Sequence, residues 1–274
     1  MRIFRQGFEF VLIYAVTLAL LVLILAPMVV VVLGSFLNYG VLGTAADQWS
    51  GGQDQMVSFA AFGYLFKVYL PWMIFSLQLA LLSVALCVLV AVPAAYVFVQ
   101  YPFKGSRFIE ELLLLPLSLP GIAMSIGLLA AYNTIRGSWL VLAGHLLYTM
   151  PFMVRVVTGT LRSFDVSALE SAAQTLGASF WQRMWYVVLP NLRHAMILGA
   201  LLVFAVSWGE FNVSYLLNAG HPQTFPAALF NTYANESFQR SSAATVIFLA
   251  MVVPVVIAIQ RIGGKASVEV EQGV

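Results

Sequence analysis

Six long apolar segments dominate this chain and limit what it can fold into. They lie at about residues 10–34, 72–100, 108–132, 139–160, 195–218 and 242–262 of the 274-residue sequence. A helix of about 20 apolar residues crosses the hydrocarbon layer of a membrane and satisfies its own backbone hydrogen bonds there. The 61% hydrophobic and 9% charged content is unlike that of a soluble domain. The sequence therefore predicts an all-α integral membrane protein, with six transmembrane helices forming one domain over residues 1–274.

The basic residues divide unevenly between the two sides that these spans define. The side with both termini holds ten of the thirteen: Arg2, Arg5, Lys104, Arg107, Arg155, Arg162, Arg183, Arg193, Arg261 and Lys265. The other side keeps Lys67, Arg136 and Arg240. Because Lys and Arg accumulate in cytoplasmic loops, both termini are predicted to be cytoplasmic. The net charge of +2 follows from this distribution and does not indicate a nucleic-acid partner.

No recognisable nucleotide-binding or metal-binding motif occurs in the sequence. The histidines His145, His194 and His221 fall in different segments, so they are expected to be structural rather than metal ligands. The single cysteine, Cys87, lies inside the second span and is expected to serve packing. We therefore expect neither a bound metal nor a cofactor in this chain.

Two long loops fall on the outward side, at about residues 35–71 and 219–241. The first carries Asp47 and Asp54, and the second is predicted to contain a short surface helix near Phe225–Tyr233. Either loop would serve as a solvated connector or as a contact surface for an external partner.

The cytoplasmic loop at residues 163–190 is polar and helix-prone, although it lies between two apolar runs. Its small and apolar residues recur at i, i+3, i+4 and i+7, the spacing of one helix face: Leu169, Ala172, Ala173 and Leu176. Such a face, with small side chains at its centre, favours close docking into a groove on another protein.

Local signals predict where the helices of this loop begin and end. Ser167 and Glu170 have the S-x-x-E spacing of a capping box at a helix start. Gly177 is placed to end the helix in a left-handed turn. A second helix is predicted within 178–188, before Leu189-Pro190 redirects the chain toward the membrane.

The same loop contains Ser171-Ala172-Ala173, then Gly177, then Val187 after nine residues, then Leu189-Pro190. This spacing resembles that of the EAA loop of permease subunits in binding-protein-dependent ABC importers. Val92–Tyr96, Tyr101–Arg107 and Leu115–Gly121 also resemble core segments of that family, and the likeness covers most of residues 70–262. The resemblance implies a type I ABC importer permease-like fold in a bacterial inner membrane.

The resemblance also implies the partners. They are a cytoplasmic ABC ATPase dimer, a second and non-identical permease, and an external solute-binding protein, with no enzymatic activity in this chain. The residues it assigns to ATPase coupling are Glu170, Ser171, Ala172, Ala173, Leu176, Gly177, Leu189 and Pro190. One departure matters, because the family's glutamate falls on Ser171. Glu170, one residue earlier, points about 100° away around the helix, so capping is its expected role.

A carboxylate inside the fifth span marks a candidate substrate pathway. Glu210 would cost on the order of 3 kcal/mol facing lipid, so it is expected to line the pathway or to pair with the other permease. Trp208, Asn212 and Ser214 would add a cation-π face and hydrogen bonds. The resemblance favours polyamine permeases for spermidine and putrescine. Aminoalkylphosphonate, sulfate and ferric-ion permeases are its alternatives.

Two further questions stay open at the sequence level. Pro93, Pro116 and Pro120 lie in the spans, and each is either a kink that serves gating or one that is simply accommodated. A secondary transporter would need internal repeats and its own ion-coupling sites, which the sequence does not display. A channel or scaffold would leave the spaced pattern at 171–190 unexplained.

Overall fold

In a computed structural model of the chain, residues 2–37, 57–132, 137–217 and 223–272 are described, and nearly all of them are helical. The α-helices of these segments are α1 (Arg2–Phe36), α2 (Ala60–Gln100), α3 (Ser106–Leu114), α4 (Gly121–Ala131), α5 (Ser138–Ser163), α6 (Val166–Thr175), α7 (Phe180–Arg183), α8 (Leu189–Gly209), α9 (Asn212–Leu217), α10 (Phe225–Asn235) and α11 (Phe238–Gln272). Most of the predicted loop 35–71, with Asp47 and Asp54, lies outside the described residues, as do Arg136 and His221.

Within the described residues, five helical segments are long and apolar enough to cross a membrane: Leu12–Phe36, Ala60–Gln100, Ser138–Ser163, Phe180–Gly209 and Phe238–Ile262. The helices Ser106–Ser118 and Gly121–Ala131 qualify only together and are bent by 110° at their junction, so the number is six when this bent pair is counted as one span. Helix α2 begins at Ala60, so the end of the predicted outward loop is helical instead.

The third predicted span, 108–132, is broken rather than continuous. After α3, a 3-10 turn at Leu115–Ser118 leads to Leu119 in an extended conformation, and α4 starts after Pro120. Two prolines without backbone N–H groups explain the break. Pro93 has no such effect, because α2 continues past it to Gln100.

The fifth predicted span, 195–218, is also interrupted. Helix α8 ends at Gly209, Glu210 adopts an extended backbone with ψ 115°, and α9 begins at Asn212. No proline lies at this point, so hydropathy alone predicted an unbroken helix.

The chain divides into two compact units. One comprises residues 1–70 and 229–249. In it the Glu236 carboxylate accepts hydrogen bonds from the Tyr64 hydroxyl at 3.0 Å and from Arg240 at 2.6 Å. The Arg240 guanidinium also lies 4.1 Å from the centre of the Tyr64 ring, so the three side chains form one satisfied cluster.

The other unit comprises residues 71–228 and 250–274. Its main core is built from the facing sides of α2, α5 and α8, together with residues of the polar loop: Cys87, Ala91, Val92, Ala95, Tyr96, Met153, Val154, Val157, Leu161, Val166, Val188, Leu192 and Val203. Cys87 is fully buried, with its sulfur 3.6 Å from the Thr149 hydroxyl. This position agrees with the packing role that the sequence predicted.

Helix α10 coincides with the short helix predicted near Phe225–Tyr233, but its first turn is not at the surface. Phe225, Ala227 and Ala228 are buried, and the Phe225 backbone N–H donates to the Ser76 hydroxyl at 2.6 Å. The surface assignment was therefore wrong for this turn, whose apolar side chains pack inside the protein.

Candidate functional site

The helix of the polar loop, α6, starts at a different residue from the one predicted. Asp165 is its N-cap, and Oδ1 of this residue accepts hydrogen bonds from the Ala168 backbone N–H at 3.0 Å and the Ser167 hydroxyl at 2.6 Å. These bonds hold the pKa of the Asp165 carboxyl below its usual range. The predicted Ser167–Glu170 capping box is wrong, because the earlier start moves Glu170 beyond the first turn.

Gly177 ends the helical segment as the sequence predicted. Its φ is +83°, in the left-handed region that glycine enters without strain. The N–H of Ala178 bonds the carbonyl of Ala173 at 3.1 Å, and the N–H of Gly177 bonds that of Gln174 at 2.9 Å. This pair of bonds is a Schellman motif, which satisfies the last carbonyls of α6 and reverses the chain.

A second helix follows and does not stop where it was expected to. Ser179 and Gln182 form a capping box at the start of α7, and a π-helical turn, Met184–Val188, joins α7 directly to α8. The prediction that Leu189-Pro190 redirects the chain is wrong, because the helix continues through these two residues. Pro190 lies in the first turn of α8, just after the π turn has shifted the hydrogen-bond pattern, and its missing N–H is tolerated there.

Helix α6 has two faces of different character. Leu169 is 44% exposed, Leu176 is 88% exposed, and Ala172 between them is exposed as well. Val166 and Glu170, on a second face about 100° further around the helix, are buried. Exposed apolar side chains at helical spacing are typical of a contact surface, so α6 presents one face outward while the other is fastened to the protein.

Glu170 is fastened by side chains that sequence reasoning missed. It is 5% exposed. The Tyr96 hydroxyl lies 2.9 Å from each of its carboxylate oxygens, and Nε2 of Gln100 donates to Oε2 at 2.6 Å. A capping role alone is therefore wrong for Glu170. Ser171, at the family's glutamate position, is exposed.

The remaining predicted coupling residues lie at the surface or close to it. Ala173 and Leu189 are half-buried, and Pro190 is exposed. The aromatic side chains of the connecting segment are exposed too, with Trp181 at 69% and Tyr186 at 80%. The segment from Asp165 to Pro190 thus combines internal helix caps with several exposed leucine and aromatic side chains.

Glu210 lies where the third and fifth spans are both interrupted. It is 6% exposed, and its Oε2 accepts the Val213 backbone N–H at 2.9 Å. A Cβ at Gly121, the first residue of α4, would lie 3.3 Å from Oε1 of Glu210 and 3.3 Å from Cβ of Asn212. The starts of α4 and α9 therefore meet at this carboxylate, and a larger residue than glycine at position 121 would crowd the Glu210 and Asn212 side chains.

The break in the fifth span is bridged by a buried histidine. His145 of α5 contacts the Ser207 hydroxyl through Nδ1 and the Ser214 hydroxyl through Nε2, both at 2.8 Å. Ser207 precedes the break and Ser214 follows it, so one imidazole ties α8 to α9. This geometry agrees with the structural role expected of His145 and occupies the hydroxyl of Ser214.

Trp208 and Asn212, the other two candidate pathway residues, differ in accessibility. Trp208 is 1% exposed, and its ring lies 6.2 Å from each of Phe204 and Phe225, centre to centre. Asn212 is half-buried at the start of α9. The structure thus brings Glu210, Asn212 and the Ser214 helix together and packs the Trp208 indole among aromatic rings.

Comparison with known protein families decides the identity. Residues 87–266 match the model of the family described as the binding-protein-dependent transport system inner membrane component. The chain belongs to this family. The match includes residues 163–190, both interrupted spans and most of the core described above.

Curated relatives are similar across the same region. The spermidine/putrescine transport system permease protein PotC of Escherichia coli (strain K12) is 29% identical over 190 residues, covering 68% of this chain and 72% of that protein. The putative 2-aminoethylphosphonate transport system permease protein PhnV of Salmonella paratyphi A is 28% identical over 199 residues, 68% of this chain and 74% of that protein. Sulfate permease 2, chloroplastic, of Chlamydomonas reinhardtii is 29% identical over 196 residues, 64% of this chain and 52% of that protein.

Solved structures share the fold at low sequence identity. A chain of a bacterial alginate ABC transporter, in complex with an alginate-bound periplasmic protein, aligns with a TM-score of 0.67 at 13% identity, covering 96% of both chains. A chain of the MetNI methionine ABC transporter in an inward-facing conformation aligns with a TM-score of 0.61 at 16% identity, covering 75% of this chain and 97% of that one. The predicted all-α fold of the type I importer permeases is confirmed.

The chain is therefore a permease subunit of a binding-protein-dependent ABC importer. It is a multi-pass membrane protein of the bacterial ABC importer type, and its family is that of inner membrane components. Such permease components are not themselves enzymes.

Proposed function

We propose that this permease imports polyamines such as spermidine and putrescine. In this proposal, residues 163–190 couple import to ATP hydrolysis by docking on a cytoplasmic ATPase dimer. The observation that carries the coupling role is the outward face of α6, where Leu169, Ala172 and Leu176 are exposed although they are small or apolar. An apolar face at the end of a well-capped helix suits a groove on a soluble partner.

The mechanism is a shift between two conformations. Closure of the ATPase dimer on ATP moves α6, and the pathway formed by this chain and a second, non-identical permease changes from inward-open to outward-open. An external solute-binding protein delivers the solute to the outward-open state. This arrangement places 163–190 and both termini in the cytoplasm, in agreement with the distribution of Lys and Arg.

The proposed substrate class depends on Glu210 and on the relatives. PotC is named for spermidine and putrescine, and PhnV for 2-aminoethylphosphonate. All three of these solutes carry an amino group. Glu210 provides a carboxylate within a span, at the meeting point of α4 and α9. A carboxylate there attracts an ammonium group strongly, because the surroundings screen charge less than water does. Asn212 at the same place offers a hydrogen-bonding amide.

The second candidate is import of 2-aminoethylphosphonate, favoured by the similarity to PhnV. It shares the ammonium group of the polyamines but adds a phosphonate, which would need a cationic or hydrogen-bond-donating site. Sulfate and ferric iron are less favoured, because neither carries the amine that a buried carboxylate would recognise.

Uptake measurements test the substrate. The complete transporter would be reconstituted with its binding protein and supplied in turn with labelled spermidine, putrescine, 2-aminoethylphosphonate, sulfate and ferric iron. ATP-dependent accumulation of the two polyamines above the other solutes is expected. Accumulation of sulfate or iron without polyamine would reject the proposed substrate class.

A separate experiment tests docking. Leu176→Asp places a charge on the 88% exposed leucine at the C-cap of α6, whereas Leu176→Met at the same position keeps the apolar contact. We expect the ATPase subunits to co-purify with the Leu176→Met variant and to be lost from the Leu176→Asp variant. Equal recovery of the ATPase with both variants would remove this face of α6 from the interface.

A further inference from the structure

The coupling segment is attached to the rest of the permease through one buried carboxylate. Glu170 leaves α6 about 100° around the helix from the exposed Leu169 and is 5% exposed. Its partners, Tyr96 and Gln100, both belong to the final turns of α2 and lie 74 and 70 residues earlier in the chain. The contact therefore joins two separate elements and does not stabilise α6 locally.

The geometry of this contact is tight and directional. The Tyr96 hydroxyl lies 2.9 Å from both oxygens of Glu170, and the Gln100 amide donates to Oε2 at 2.6 Å. Hydrogen bonds to a carboxylate are short and strong, and burial from water makes their loss unfavourable. These bonds oppose rotation and sliding of α6 against the end of α2.

Apolar packing supports the same attachment. Val166, one turn before Glu170 on α6, is 3% exposed and belongs to the same core cluster as Tyr96. On the far side of the Gly177 turn, Nη1 of Arg183 donates to Oε1 of Gln174 at 2.8 Å, which braces α6 against α7. Helix α6 is thus held at both ends, with Glu170 as its polar contact to α2.

We propose that the hydrogen-bonded group Glu170–Tyr96–Gln100 transmits the movement of α6 to the second span. It then acts as a positioning element for coupling, separate from the surface that touches the ATPase. This inference rests on the proposed docking of α6, since a helix that contacts no partner has no movement to transmit. It also explains how an acidic side chain one residue away from the family's position contributes to coupling from the inner face.

Three variants separate transmission from docking. Tyr96→Phe removes one oxygen and keeps the ring, Glu170→Ala removes the carboxylate, and Glu170→Gln keeps an acceptor oxygen for Tyr96. Matched controls are Tyr233→Phe and Glu111→Gln, which make the same chemical changes at exposed positions. Each variant would be studied in the complete reconstituted transporter.

The readout is a nucleotide-dependent conformational change, which requires no knowledge of the solute. A cysteine replaces Ile122, an exposed residue in the first turn of α4, in a Cys87→Ser background. Its rate of reaction with a maleimide is measured with and without ATP and vanadate. Co-purification of the ATPase, basal ATP hydrolysis and the unfolding temperature are recorded in parallel.

If the group transmits movement, Tyr96→Phe and Glu170→Ala keep the ATPase bound and hydrolysing. The change in labelling rate that nucleotide causes falls by about tenfold or more, as expected for loss of a hydrogen bond to a charged group. Glu170→Gln restores part of the change. Tyr96→Phe and Glu170→Gln combined have less than their summed effects, because the two residues act through one contact.

Two results would overturn the inference. The first is an undiminished labelling change in Tyr96→Phe and Glu170→Ala. The second is a loss of labelling change that only accompanies a lower unfolding temperature and loss of the ATPase, which a purely structural contact would produce. Failure of docking is recognised separately, because Leu176→Asp would then retain the ATPase.

Discussion

Two buried glutamates, Glu170 in α6 and Glu210 in the fifth span, are almost equally hidden from solvent, at 5% and 6% exposure. Their hydrogen bonds differ in reach. Glu170 is held by side chains of α2 that lie 74 and 70 residues away, whereas Glu210 is held by the backbone N–H of Val213, three residues on. One carboxylate links two helices, and the other stabilises the start of the next helix in its own span.

This difference separates attachment from local conformation. A long-range contact such as that of Glu170 makes the movement of one element depend on another. A local contact such as that of Glu210 keeps an interrupted span in its broken form and leaves Oε1 directed at the start of α4. Substitutions in the two regions should therefore fail in different ways, one in coupling and the other in pathway or stability.

The largest effect is expected in the coupling region, at Gly177. Gly177→Pro replaces a φ of +83° by the fixed negative φ of proline. This substitution should destabilise the folded segment by about 3 kcal/mol or more. The Schellman turn should be lost, with ATP hydrolysis and uptake becoming uncoupled while the protein still inserts in the membrane. Uptake per ATP hydrolysed is the measurement, and normal uptake would contradict a role for this turn. Gly159→Ala, at an exposed helical site with open space around its Cα, is the control.

The next largest effect is expected in the interrupted span, at His145. His145→Ala removes the imidazole that bonds Ser207 and Ser214 at 2.8 Å each. An unsatisfied buried polar group costs about 1–3 kcal/mol, so a lower unfolding temperature in detergent is expected, with the ATPase still bound. His194→Ala, the same change at an exposed histidine near the start of α8, provides the comparison. An unchanged unfolding temperature in His145→Ala would show that the bridge does not hold the break.

A smaller and more selective effect is expected for Glu210→Gln. The amide oxygen still accepts the Val213 N–H, so the start of α9 should persist. Loss of the charge should lower the apparent affinity for spermidine by about tenfold, equivalent to roughly 1.4 kcal/mol. The apparent affinity is measured from the dependence of uptake on spermidine concentration in proteoliposomes. Unchanged kinetics would leave Glu210 with a structural role only.

The smallest effect is expected at Asp165, the N-cap of α6. The pKa of its carboxyl is lowered in the folded protein by bonds from Ser167 and Ala168. The stabilisation that the ionised Asp165 carboxyl provides is therefore complete above its pKa in the unfolded chain. It is lost as the pH falls through the lower pKa of the folded protein. Proteolysis of the segment 163–190 should increase slightly at acidic pH, and Asp165→Asn, which retains a capping oxygen, should make this rate less dependent on pH. An identical pH dependence in that variant would assign the effect to another group.

Local signals in the sequence were sufficient where the structure depends on near neighbours. Gly177 ended its helix segment as predicted, and of the predicted face Leu169, Ala172, Ala173 and Leu176 three residues are exposed, whereas Ala173 is half-buried. Prediction failed where neighbouring residues allowed two different helix starts or two different courses of the backbone. Asp165 replaced Ser167 as the cap, and the π turn before Leu189 carried the helix past Pro190.

The partners of Glu170 could not have been found by the same means. Nothing in the spacing of Tyr96 or Gln100 distinguishes them from other residues of an apolar helix, and the contact exists only once α2 and α6 have packed. The break at Glu210 was also invisible, because hydropathy averages over a span and the backbone there turns without a proline.

The sequence by itself determined that this chain is a helical membrane protein whose polar loop contains a helix with small and apolar residues along one face. Hydropathy, charge distribution and helical periodicity are properties of neighbouring residues, so they can be read from one sequence without knowledge of the tertiary contacts. Only the tertiary structure decided which way Glu170 points, that two spans are broken at the same place, and that His145 bridges one of the breaks. Each of these depends on side chains brought together from distant segments, where packing and the need to satisfy buried polar groups select one arrangement among many.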